Sequence, residues 1–281
     1  MKIYDVFPFN NELDLMLLRM HLLDSLVDYF VISESSVSFS GLNKPLRYLE
    51  NKAMYSRFES KIIHVIAEPG PESLTTFERD DFQKNQLGEA LRELCCDDDI
   101  ILSGDLDEFP NPRVFAEAVE AAQEGKIGHF AQDVYVYYLN FQEYRGKFIS
   151  ITGDYPGIKN PRWLGTRSVK FSLLRETSIA GLRDRSLIPQ GVRLSDGGWH
   201  FTYVGGPPGS SIVERVRQKI SDSPHQELMK PATLDKVPKR ILRGHDPWGR
   251  RGVRMRKVTV DPAIQVLVNK NNPLFNHLLL A

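Results

Sequence analysis

The chain has 281 residues, 41% hydrophobic and 26% charged, and its basic and acidic side chains are equal in number. That length buries a full core, as one large domain or one domain with an appendage. Zero net charge argues against a dedicated nucleic-acid binder, which carries a basic excess, and no apolar run reaches the ~18 residues of a spanning helix. Charge is nevertheless segregated. Acids crowd residues 89–108, whereas residues 236–257 are strongly basic, by default a solvated face and otherwise a surface for an anionic substrate. The adjacent Cys95 and Cys96 form neither a disulfide framework nor a CxxC metal pattern. With a strand starting directly after Met1, a cytoplasmic protein without a leader is expected.

In chain order, residues 2–7 read as a strand. Asn10 or Asn11 stands where it can cap a helix running to about Ser25, with Leu13, Met16, Leu17, Met20 and Leu23 on its apolar face. Residues 28–33 form a second strand, ending at Glu34, and residues 61–67 a third. A helix over 76–94 leads to a fourth strand at 99–103. This alternation predicts a mostly parallel sheet with right-handed crossovers. A helix over 112–124 follows. Segments 130–141, 147–152 and 169–175 then read as aromatic-rich strands, where a core role for Tyr135 and Tyr137 outweighs a binding platform. Trp163, Trp199 and Trp248 lie near Gly and Pro, in loops where an indole can stack on a sugar. Residues 201–204 form a short strand, 205–211 a loop and 212–221 a helix.

The fourth strand ends in Ser103-Gly104-Asp105-Leu106-Asp107-Glu108, with Pro110 stopping the run. Open α/β sheets bind ligands at the carboxyl ends of such strands. Crowded acids there repel one another unless a cation shares them, so the pattern points to Mg²⁺ or Mn²⁺ holding a phosphorylated substrate, with Asp105, Asp107 and Glu108 as candidate ligands. An acidic turn capping the helix near Pro112 is the equal alternative on these residues alone. His200, leaving the Gly197-Gly198 turn, is a candidate third ligand or phosphate contact. Asn11, Glu12 and Glu34 end the first two strands on the same rim, where Glu34 can accept from a nucleoside. Lys44, Arg79 and Lys84 can meet phosphates. Walker A, Gly-x-Ser-x-Gly, Gly-x-Gly-x-x-Gly and His-Glu-x-x-His patterns are absent.

Asn11-Glu12-Leu13-Asp14-Leu15, Val27-Asp28-Tyr29-Phe30-Val31-Ile32, Glu34-Ser35 and Lys44-Pro45-Leu46 resemble glycosyltransferase family 17. So do Asp105-Leu106-Asp107-Glu108-Phe109-Pro110, Gly198-Trp199-His200 and Leu267-Val268-Asn269-Lys270-Asn271. The resemblance implies an α/β GT-A-like fold with a mixed central sheet and an N-terminal parallel half. Residues 1–125 would bind the nucleotide sugar, and residues 126–281 would complete the metal site and bind the acceptor. It further implies a UDP-sugar donor (UDP-N-acetylglucosamine), a glycan acceptor, Mn²⁺ or Mg²⁺, and inversion at the anomeric carbon. Asp105 and Asp107 become the metal and diphosphate residues, with Trp199 and His200 close to the donor. Sparse cysteine and the lack of an anchor favour a polysaccharide, lipid-linked glycan or small sugar over a mannosyl-glycoprotein acceptor. By analogy with glycoside hydrolysis a carboxylate deprotonates the incoming hydroxyl. Asp196, four residues before His200, is preferred over Asp133, Glu143 and Asp154. The rival readings are a retaining GT-A transferase or nucleotidyltransferase, and a non-catalytic glycan-binding relative.

Overall fold

The computed structural model describes residues 1–145, 162–207, 209–222, 234–245, 252–270 and 274–281. Strand β1 (Ile3–Pro8) pairs in parallel with β2 (Tyr29–Ser35) on one side and with β4 (Ile100–Ser103) on the other, and β3 (Ile62–Ala67) adds in parallel beyond β2. Helix α1 (Leu13–Leu23) connects β1 to β2. The single turn α2 (Arg47–Glu50) and a 3-10 segment, Lys52–Lys61, precede β3, and α3 (Thr76–Leu94) precedes β4. The expected parallel half is therefore present. Helix α3 starts at a full capping box between Thr75 and Glu78. The expected cap of α1 is not made: Glu12 holds that position without a side-chain bond to the helix.

After β4 the chain reverses through β5 (Glu108–Pro110) and α4 (Phe115–Gln123). The sheet then turns mixed. Strand β8 (Arg162–Lys170) runs antiparallel beside β4, β6 (Gly128–Val136) antiparallel beside β8, and β7 (Phe141–Arg145) and β10 (Arg254–Lys257) close that edge. Strand β9 (Val192–Thr202) pairs in parallel with β6, and its end pairs antiparallel with β5. The strand expected over 130–141 is broken because Tyr137 takes φ 68°. The one expected over 169–175 is the end of β8 followed by the turn α5 (Phe171–Leu174). The strand expected at 147–152 lies outside the described residues. Helix α6 (Ile212–Asp222) matches its expected start. One sheet crosses the expected division at residue 125, since β4 bonds directly to β8. No helix among the described residues is long and apolar enough to cross a membrane.

Strand alternation aims Tyr4 and Val6 at the α3 side of the sheet, and Phe7 at the α1 side. Asp5 shares the parity of Phe7 and is fully buried, as is Arg19 of α1. They form a bidentate pair, Arg19 Nε to Asp5 Oδ2 at 2.8 Å and Nη2 to Oδ1 at 2.6 Å. The remaining nitrogen, Nη1, donates to the backbone carbonyls of Asp105 (3.2 Å), Leu106 (3.2 Å) and Glu108 (2.6 Å). The rings of Phe7 and Phe109 flank the guanidinium carbon at 4.9 and 5.6 Å. The acidic loop is thus held from underneath by its main chain.

Removing one member of a buried ion pair strands the other charge. Arg19→Met should lower unfolding free energy by about 3–5 kcal/mol in urea titrations, and adding Asp5→Asn should recover part of that loss. A second expectation concerns His129, which is buried on β6. Burial, reinforced by the Arg167 charge, pulls its pKa from 6.5 down to about 4. The unfolded chain then binds the extra proton, so this contribution is complete above pH 6.5 and is lost as pH falls towards 4. Wild type should lose up to about 3 kcal/mol across that window. His129→Gln should flatten the slope of stability against pH, whatever its absolute stability.

Candidate functional site

Gly104 N–H donates to the Val6 carbonyl at 3.3 Å, so the acidic loop leaves β4 directly beside the carboxyl end of β1. A cleft of about 280 Å³ opens there, with Pro8, Phe9, Asn10 and Glu12 on the β1 side and Asp105, Leu106 and Asp107 on its floor. This is the ligand edge of a parallel sheet. Leu106 itself is buried in the core. Its neighbours on both sides therefore present their carboxylates upward while it anchors the loop.

The second half of the chain closes the cleft. Pairing of β5 with β9 sets Glu108 opposite His200, and Phe201 N–H donates to the Asp107 carbonyl at 2.7 Å. Trp163 of β8 tilts against the His200 ring, centroids 5.1 Å apart. Helix α6 is tied back by Arg215, which donates to the Val204 carbonyl, and it delivers Lys219 to the floor. Arg183 arrives from the 3-10 turn Gly181–Arg183, and Lys84 from α3.

Each acid has distinct partners. Asp105 faces Lys84 Nζ at 3.0 Å and Arg183 Nη2 at 3.1 Å. Burial alone would raise its pKa, but Arg183 and Lys84 outweigh burial and hold it at about 2. Asp107 faces Lys219 Nζ at 2.5 Å and His200 Nε2 at 3.6 Å. Burial opposes its ionisation too, and Lys219 and His200 drive its pKa far below the usual carboxylate range. Asp80, on the cleft wall and 2.7 Å from Lys84, behaves differently: burial and the nearby Asp105 raise its pKa despite the lysine. Glu12 lies 3.7 Å from Lys219 and accepts from the Asn11 N–H at 3.1 Å.

Several expected site residues are elsewhere. Glu108 is fully buried, and its carboxylate accepts from the Asp105 N–H (2.8 Å), Arg183 (2.6 Å) and Trp163 Nε1 (2.5 Å). It builds the loop and does not line the cleft. Glu34 is also fully buried. It accepts from the N–H groups of Arg47 (2.5 Å) and Tyr48 (3.1 Å) at the start of α2, with Lys44 at 3.7 Å, so both Glu34 and Lys44 serve that turn. Arg79 donates to the Glu72 carbonyl at 2.7 Å, outside the cleft lining. Asn11 is buried beside Glu12, with Asn10 as the lining residue.

Trp199 belongs to the core and stacks on Phe201; the cleft indole is Trp163. Asp196 is exposed on β9, paired with Arg113 at 3.1 Å, and does not reach the cleft. Of the other candidate bases, Glu143 is buried on β7 and Asp133 accepts from Gln142 at 3.3 Å, while Asp154 and Trp248 lie outside the described residues. Arg183 and Lys219 carried no sequence signal beyond being cations on a loop and an amphipathic helix. Arg19 did have one, as a basic side chain set among the leucines and methionines of α1.

The donor set can be tested against a divalent ion. Glu12, Asp80, Asp105, Asp107 and Glu108 outnumber the cations Lys84, Arg183 and Lys219, leaving an excess of negative charge. Among the described residues, no three His, Cys, Asp or Glu side chains form a complete cluster of ligands. A partial shell of one or two carboxylates, completed by water and phosphate, is the usual Mg²⁺ arrangement, and Asp105 and Asp107 are the two carboxylates on the cleft floor that match that chemistry.

No curated protein matches the chain. Among solved structures it is similar to the galactosyltransferase LgtC in complex with donor and acceptor sugar analogs, at 11% identity over 72% of this chain and 73% of that one, with a TM-score of 0.37. It is also similar to a mycobacterial protein, at 14% identity over 95% and 88% of the two chains, with a TM-score of 0.38. The model of Glycosyltransferase family 17 matches residues 1–156 of the 281, more than half of the chain, and on that match the chain belongs to that family and is a glycosyltransferase.

Proposed function

We propose that the enzyme transfers a sugar, N-acetylglucosamine by family resemblance, from a UDP-sugar to a glycan hydroxyl with inversion, assisted by Mn²⁺ or Mg²⁺. The observation that carries this reading is the cleft floor. Two ionised carboxylates, Asp105 and Asp107, face a pocket at the carboxyl ends of β1 and β4, and Lys84, Arg183, Lys219 and His200 converge on them. Such a mixture suits a diphosphate together with its counter-cation and is wasted on a neutral ligand. Phe39 and the exposed Phe77 form an aromatic rim on the cleft, suited to a flat base.

The ion, when bound, would be held by Asp107 and His200, with Asp105 beside them, and would act as a Lewis acid towards the diphosphate. The rest falls to the chain itself. Lys84 and Arg183 keep Asp105 ionised, and Trp163 braces the His200 ring. The hydroxyl proton is assigned to Asp80, the cleft carboxylate whose pKa is raised. This assignment replaces Asp196.

In thermal-shift titrations, a UDP-sugar with Mn²⁺ should raise the melting temperature of wild type, and Asp107→Asn should abolish that rise. No stabilisation by any UDP-sugar would sink the donor assignment. Anomeric analysis of the product by NMR separates inversion from retention. Asp80→Asn should lower kcat by about 10²-fold or more while leaving donor affinity within a few-fold; an unchanged kcat would remove Asp80 from the mechanism.

A further inference from the structure

Among the cleft cations, Lys219 reaches the acidic loop from the most distant part of the chain. Lys219 is carried by α6, 112 residues away from Asp107 in sequence, yet its ammonium lies 2.5 Å from Asp107 Oδ2 and 3.7 Å from Glu12 Oε1. Its alkyl stem is partly covered, and the ammonium still lines the cleft.

The backbone beneath it is strained at two points. Tyr137 and Tyr203 hold φ values of 68° and 59°, the left-handed region that bulky side chains avoid. Such residues cost on the order of 1–3 kcal/mol each and persist only where the surroundings enforce them. Here the Tyr137 N–H donates to the Thr202 carbonyl at 3.1 Å, and the two rings stack with centroids 5.5 Å apart. Tyr203 is the residue at which the chain leaves β9 for α6. The Lys219 ammonium sits 5.9 Å from its ring centroid. The strained pair thus forms a platform that aims a cation at the Asp107 end of the cleft. Ion pairing with Asp107 by itself would not need such a platform, because a lysine on any flexible segment could supply it.

We propose, resting on the donor assignment above, that Lys219 is a catalytic residue whose ammonium receives the departing diphosphate oxygen. In the transfer, the bond between the anomeric carbon and the diphosphate oxygen breaks, and its electron pair stays on that oxygen. A new bond forms from the acceptor hydroxyl oxygen to the same carbon, and the hydroxyl proton leaves to Asp80. The charge gathering on the diphosphate appears at the Asp107 end of the cleft, where Lys219 already stands. A cation aimed at charge that develops during the reaction stabilises the transition state more than the bound donor. In the unliganded protein the same ammonium neutralises Asp107, and so competes with a divalent ion for that carboxylate.

The test compares UDP, which carries the released phosphate charge, with an intact UDP-sugar, by calorimetry on wild type and Lys219→Met. The substitution should weaken UDP about tenfold or more, weaken the UDP-sugar by less than about threefold, and lower kcat by about 10²–10³-fold. Mn²⁺ titrated alone, without nucleotide, should bind Lys219→Met more tightly than wild type, because its competitor is gone. Lys219→Arg, which retains the charge, should keep the preference for UDP; it carries the test if the Met variant does not fold. Equal loss of UDP and UDP-sugar affinity, or no loss of either, overturns the assignment of Lys219 alone. A wild type that binds neither nucleotide overturns the donor reading and this proposal with it.

Discussion

The Arg19–Asp5 pair is the constraint on which the site depends. Burying a guanidinium and a carboxylate costs several kcal/mol per ion, and geometry has to return it. Here every guanidinium nitrogen is used, two towards Asp5 and the third towards three carbonyls of the acidic loop. The consequence for function lies in what the loop does not have to do. Because its main chain is clamped from the core, and Leu106 plugs downward, Asp105 and Asp107 need no part of their hydrogen-bonding capacity to keep the loop in shape. Glu108 is the exception, with its carboxylate turned inward as a structural tie.

That division makes the run of three acids three different things. One is a strut, and two are ionised groups facing a cleft, each with its own set of cations. Asp105 belongs to Lys84 and Arg183, Asp107 to Lys219 and His200. Like charges two residues apart would otherwise push their pKa values upward. Separate partners let both remain charged in a partly buried place, the state that the proposed binding of a cation and a diphosphate requires.

The alternating half of the fold was legible because its signals are local: apolar strands, an apolar helix, and the Thr75–Glu78 start of α3. The motif itself was legible for the same reason. Several of the failures, those of Glu34, Trp199 and Asp196, share one cause, that a sequence does not say which way a side chain near a strand end points. Glu34 lies one residue inside β2, and alternation turns it under α2 rather than over the rim. Asp196, four residues before His200, would share its cleft only if the Gly197-Gly198 pair folded the chain back on itself. The segment is instead part of an eleven-residue strand with an irregular register, which sets the two residues roughly 13 Å apart at about 3.3 Å per residue. Parity likewise sends Trp199 to the core while His200 lines the cleft. Long-range partners such as Arg183 and Lys219 have no local signature at all.

The family match and the site divide the chain differently, and the difference bears on how the enzyme works. The matched residues 1–156 contain Asp105, Asp107, Asp80 and Lys84. Trp163, Arg183, His200 and Lys219, which brace and neutralise those acids, all come from beyond residue 156. The first half by itself would leave a crowd of carboxylates with Lys84 as their cleft cation, a state that electrostatics opposes. The sheet removes that difficulty by bonding β8 to β4 and β9 to β5, so the strands that complete the fold also bring Trp163 and His200 to the loop. Arg183, His200 and Lys219, all supplied by the second half, are thus the partners that offset much of the negative charge of Asp105 and Asp107.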